Sequence, residues 1–157
     1  MDIIAQEVSV SVFSPVSIEA QAIAARSYTY GRLHAQNSMN NSTDRHVFVP
    51  YRFESLNTSE DPDDSANPCN STNLHTNQQR ICDSLTRKYY ISYGASATVE
   101  DPAITQYFAD IRLDTITTPG GNPYEISVPD PISHHPDIEQ DGHGNGMSQK
   151  GASRWGH

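Results

Sequence analysis

Gly142-His143-Gly144-Asn145-Gly146-Met147-Ser148-Gln149-Lys150-Gly151-Ala152 sets a glycine at every second position and then gives way to a run compatible with a helix. Glycine admits positive φ and carries no side-chain bulk, so this backbone can approach a ligand closely. The helix start that follows offers unpaired N–H groups to sugar oxygens or carboxylates. Two familiar motifs nearly match and fail. Gly146 to Lys150 lacks the closing glycine of a nucleophile elbow, and Lys150 precedes a glycine instead of following one, which excludes a phosphate-binding loop of the NTPase kind. Just upstream, His134, His135, Asp137 and Asp141, with His143, are separated by proline and glycine. They have no fixed helical spacing for a metal and read as a solvated loop.

At the other end of the chain, Asp2 to Val10 and Ser17 to Leu33 read as helices interrupted at Phe13-Ser14-Pro15. Ser14 is a capping residue ahead of a proline at a first-turn position, and Ile18, Ala22, Ala25 and Tyr28 or Thr29 then recur at helical spacing. Ala20, Ala22, Ala24 and Ala25 suit close packing against another element. Residues 36–82 are polar and broken by Pro50, Pro62 and Pro68. They read as a loop-rich insertion in which only Val47 to Phe53 resembles a strand. Sequons begin at Asn41, Asn57 and Asn70 in this Asn-rich stretch. The acidic run from Glu60 to Asp64 lacks the glycine and closing glutamate of a calcium loop and reads as a solvated loop. Lys88 to Tyr93, Ala103 to Phe108 and Tyr124 to Val128 read as strands of a small sheet. The expectation is one α+β domain over residues 1–157: two N-terminal helices, a small β-sheet, the polar insertion, and the glycine-rich loop leading into a C-terminal helix.

The chain has 157 residues, and a formal net charge of −9 that would repel phosphate backbones; its ten Lys and Arg are scattered, so nucleic acid is excluded as a partner. No apolar run approaches the length of a membrane span. Cys69 and Cys82 flank the Ser/Asn/Thr-rich part of the insertion, and three readings stand open: a disulfide outside the cell, two free thiols, or zinc ligands together with His75. The last lacks the tight CxxC spacing of zinc sites, and no other cofactor pattern is present.

Two motifs and the helix that precedes them together carry a resemblance. A glutamate helix containing Glu7, then Ala20-Gln21-Ala22-Ile23-Ala24-Ala25-Arg26, then Gly142 to Ala152, is similar to the sporulation protein D and amidase-enhancer family, whose members show these motifs in this order. Val128-Pro129-Asp130-Pro131 also precedes the last motif in some relatives, and the family's step from glutamate to arginine agrees with Glu7 to Arg26 to within one residue. The resemblance implies a lytic transglycosylase that cleaves the bond between N-acetylmuramic acid and N-acetylglucosamine in denuded glycan strands, leaving 1,6-anhydromuramyl ends. It implies Glu7 as the catalytic acid, with Gln21, Arg26, Tyr107, His143, Ser148 and Gln149 contacting substrate.

For Glu7 to be protonated near neutral pH, it must be buried against groups such as Val8, Phe13 or Tyr28. The family's usual lysine two residues before the helix glutamine is Glu19 here. Its Met-Pro after the glutamate is Val8-Ser9, and its Ser-Gly-Gly stretch is replaced by Ile111 to Thr115. Relatives also extend beyond both ends of this chain, which therefore reads as clipped. The implied partners are peptidoglycan strands and a cell-wall amidase, and the implied location is extracellular or in the cell envelope. Two other readings compete: a noncatalytic glycan-binding enhancer of an amidase, and a structural subunit of an extracellular assembly.

Overall fold

Ser14 fixes where the longest element begins. Its hydroxyl accepts from the Ser17 N–H at 3.2 Å, and Pro15 takes the first helical position, where no N–H is needed. Helix α2 (Pro15–Gln36) runs from there past the expected Leu33, until Asn37 turns to φ 53° and closes it with an N–H bond to the Leu33 carbonyl. The computed structural model describes residues 1–41, 48–56, 68–70, 74–94, 101–110, 114–117 and 119–157. The sequon at Asn57, the residues completing those at Asn41 and Asn70, the acidic run Glu60 to Asp64, and Ile111 to Leu113 lie outside these.

Helix α2 is buried on more than one side. Ile18, Ala22 and Ala25 join Ile4, Ala5, Val8, Val10 and Phe13 in the core, while Gly31 meets Ile104 and the Pro102 carbonyl, where any added Cβ would sit 2.7 Å from Ile104. Helix α1 (Asp2–Glu7) stops short of the expected Val10, because Val8 turns extended and is buried with Val10.

The insertion is less loop-like than its composition implies. Helix α3 (Thr76–Leu85) occupies its end, started by a reciprocal cap: the His75 ring accepts from the Asn77 N–H, and the Gln78 side chain accepts from the His75 N–H. Gln78, Ile81, Cys82 and Ser84 are buried. Within the described residues, the expected strand Val47 to Phe53 is instead a turn leading to a 3-10 turn at Glu54–Leu56. Phe53 is 1% exposed, with its N–H given to Asp2 Oδ1 at 2.9 Å and its carbonyl accepting from Gln78 at 3.3 Å. Side chains from two helices satisfy the backbone groups that a sheet neighbour would otherwise take.

Cys69 and Cys82 form a disulfide with Cα atoms 5.6 Å apart, tying the turn Pro68–Asn70 to α3. Both sulfurs are thereby committed and His75 is engaged in its cap, so the zinc reading of this trio is corrected. Among the described residues no group of three or more His, Cys, Asp or Glu is arranged to hold a metal.

Instead of one small sheet, the described residues form two short strand pairings. Strands β1 (Ser92–Tyr93) and β2 (Asp101–Pro102) pair antiparallel; β3 (Tyr107–Phe108) and β4 (Met147–Ser148) pair in parallel, Tyr107 opposite Met147. Tyr124 to Val128 is not a strand. It is held to 115–117 by Thr115 and Thr117 hydroxyls as much as by backbone, which leaves no regular ladder. Helix α4 (Gln149–Trp155) follows β4 directly, with Ser148 accepting from the Gly151 N–H at 2.9 Å. The result is a small α+β domain, as expected, with short strands. Among the described residues no helix is long and apolar enough to cross a membrane.

Candidate active site

The glycine-rich segment is laid along residues 106 to 110. Asp110 and Asp141 exchange backbone bonds, Met147 donates to the Gln106 carbonyl, and Lys150 donates to the Ala109 carbonyl, each at 2.9–3.0 Å. Gly146, at φ 80°, makes this possible: a Cβ there would lie 2.1 Å from the Gln106 oxygen. The strip therefore presses against β3 before turning into α4. Behind it, Arg154 of α4 pairs with buried Asp110 and donates to the fully buried Ser133 hydroxyl, and Trp155 donates to Asp130 at 2.9 Å.

That anchoring delivers Gln149 to Glu7. The Gln149 side-chain amide donates to Glu7 Oε2 at 3.1 Å across 142 residues of sequence, and Gln149 is itself buried. Glu7 closes α1, half-buried against the core that holds Val8 and Phe13. Burial raises its pKa, because the carboxylate loses hydration; the Gln149 bond, which favours the charged form, offsets part of the rise.

Tyr107 stands in the same electrostatic neighbourhood. Burial first, then the charges of Glu7 and Tyr28, push its phenol well above the ordinary range, so it is a neutral O–H at any working pH. Its ring meets Tyr28 edge-on, with centroids 6.4 Å apart. A protonatable carboxyl and an amide donor thus meet at 3.1 Å, and a carboxyl so placed can give a proton to an oxygen leaving group and take one back; the Tyr107 hydroxyl, which feels the Glu7 charge, is itself out of contact with solvent.

Of the other residues expected at the site, four have different employment. Gln21 is 1% exposed, and neither side-chain polar atom has a hydrogen-bond partner among the described residues; sealed in, it is closed to substrate in this structure. Arg26 donates to the Arg87 and Tyr89 carbonyls at 2.9 and 2.7 Å, and Glu19 on the same helix pairs with the Arg87 guanidinium at 3.4 Å. The two side chains hold the chain that leaves α3. Ser148 is spent on the α4 cap. His143 is exposed, its ring accepting from the Asn145 N–H and lying 5.6 Å from the Phe108 ring, with no bond toward Glu7. His134 and His135 pair with Asp114 and Asp137.

Sequence reasoning missed Arg80. From α3 its guanidinium donates to the Val10 and Phe13 carbonyls and grips the connection that follows Glu7. An arginine inside a polar insertion gives no local sign of such a reach. Asp130 was noticed only as part of its Pro-flanked stretch, although a buried carboxylate beside the chain's single tryptophan is what seats α4. No family model matches this chain, and it matches no curated protein and no solved structure.

Proposed function

We propose that this domain cleaves peptidoglycan glycan strands as a lytic transglycosylase, with Glu7 as its single acid and base. The observation that carries the reading is the Glu7–Gln149 contact: Gln149 of the glycine-rich motif donates at 3.1 Å to a carboxyl near the other end of the sequence whose pKa is raised by burial. Protonated Glu7 gives its proton to the glycosidic oxygen as the bond from muramyl C1 to that oxygen breaks. The resulting carboxylate then takes the proton of the muramyl C6 hydroxyl as its oxygen closes on C1, forming the 1,6-anhydro ring and restoring the acid. Gln149 orients the carboxyl. The Cys69–Cys82 disulfide supports an extracellular or envelope location, since such bonds persist in oxidising compartments.

The test is digestion of stem-peptide-free glycan strands with the wild-type chain and with Glu7→Gln, the products being read by mass spectrometry. Anhydromuramyl ends from the wild type alone are expected. Strand binding without products in either protein would contradict the reading and match a noncatalytic enhancer of an amidase. A stable oligomer without glycan affinity would match a structural subunit.

A further inference from the structure

A cavity of 710 Å3 lies between α2, the segments around Tyr93 and Tyr124, and the start of α4, and neither Glu7, Tyr107 nor Gln149 lines it. Its volume is that of sites for small organic ligands. The walls are mainly apolar, with Ile23 and Ala24 from α2, Met147 from β4 and Ile126 among them. Glu125 and Asp130 also line it, and among the described residues no Lys, Arg or His does.

Both carboxylates are held by uncharged donors. Glu125 Oε2 accepts from Asn122 at 3.0 Å and Gln106 at 3.4 Å, while its Oε1 is out of contact with solvent and has no hydrogen-bond partner. Asp130 accepts from the Trp155 ring N–H and the Ser133 hydroxyl. Neither forms an ion pair among the described residues; Asp130 shares the Ser133 hydroxyl with the Arg154 guanidinium, so Glu125 is the carboxylate that stands beside the apolar space with no cation on it among the described residues.

Two of the rings on its walls are pinned. The Tyr124 hydroxyl accepts from the Ile104 N–H at 2.9 Å, and Trp155 is fixed by Asp130. Tyr93 and Tyr124 lie 4.9 Å apart, tilted 51° to each other. Aromatic rings, apolar walls and a carboxylate without a cation on it are the combination that attracts an ammonium group. We infer that this cavity binds an organic cation, an ammonium on a compact apolar body, at a site separate from Glu7.

Trp155, the single tryptophan of the chain, reports on its occupancy. The experiment is a fluorescence titration of the full chain with phenethylammonium, and with 3-phenylpropanoate as the anionic counterpart of similar shape. Saturable change with the cation alone is expected. Glu125→Gln, which keeps the side chain's size, is expected to weaken binding about tenfold, and Glu7→Gln to leave it unchanged. Methyl NMR of the wild type is expected to move Ile23 and Met147 and to leave Ile4, in the core behind Glu7, in place. The inference is overturned by equal binding of the carboxylate, by unchanged affinity in Glu125→Gln, by loss of binding in Glu7→Gln, or by shifts at Ile4 instead of Ile23 and Met147. Because Glu7→Gln is the control here, this result stands or falls apart from glycan cleavage.

Discussion

Glu7 carries two consequences for pH. Its folded-state pKa lies above the unfolded one, so the folded chain holds the proton more tightly, and stability is present at low pH and declines as pH rises through the raised value. Glu7→Gln removes that decline. Chemical denaturation is expected to show Glu7→Gln gaining on the wild type as pH rises toward neutrality, the two converging below the ordinary carboxylate range; a gap independent of pH would contradict the burial argument. Under the proposed mechanism the same proton must be present for turnover, so activity should fall on the alkaline side. Gln149→Ala deletes the bond that lowers the Glu7 pKa and should move that alkaline limb upward while reducing kcat about tenfold through lost orientation. A pH–rate profile with an unmoved limb would show that Gln149 does not touch the acid. At this scale the motifs single out Glu7 and Gln149, which the structure brings into contact, while their roles belong to the proposal. The roles of Gln21 and Arg26 were not legible, since their motif spacing gives a helix face without saying what covers it.

Among the elements, the parallel pairing of β3 and β4 depends on Gly146. Gly146→Ala places a methyl against the Gln106 carbonyl at positive φ, and a destabilisation of about 2 kcal/mol or more is expected by denaturant titration, with loss of the Glu7–Gln149 contact. Equal stability would mean that the strip can separate from β3. Helix α2 was legible from its Ser14-Pro15 start and alanine spacing, and α4 from the run after Gly146. Helix α3 was hidden because its cap is a histidine, outside the usual Ser, Thr, Asp and Asn set, and because its buried residues lie within a polar segment. The strands were overdrawn: Tyr, Ile and Val raise β propensity, yet at Tyr124 to Val128 threonine hydroxyls took the bonding positions of a ladder.

For the molecule as a whole, distant parts of the sequence converge on the connection around Glu7. The insertion does not hang from the domain: Phe53, Ile81 and the disulfide make it part of the core, and Arg80 extends that support to the turn after α1. From the C-terminal side, α4 is bolted by Arg154 and Trp155 and presents Gln149. Overall α+β character was readable from the order of helical and β-rich segments. Convergence was not, because it rests on side chains that bond backbone 63 and 67 residues away and, at Gln149, a side chain 142 residues away. The one-carboxyl mechanism has no water in its bond-forming step, and this sets it apart from hydrolysis. The most direct measurement is therefore digestion of denuded strands in water enriched in oxygen-18, with mass analysis of the new ends. Anhydromuramyl ends free of the heavy isotope are expected; reducing ends that carry it would contradict Glu7 acting alone as acid and base.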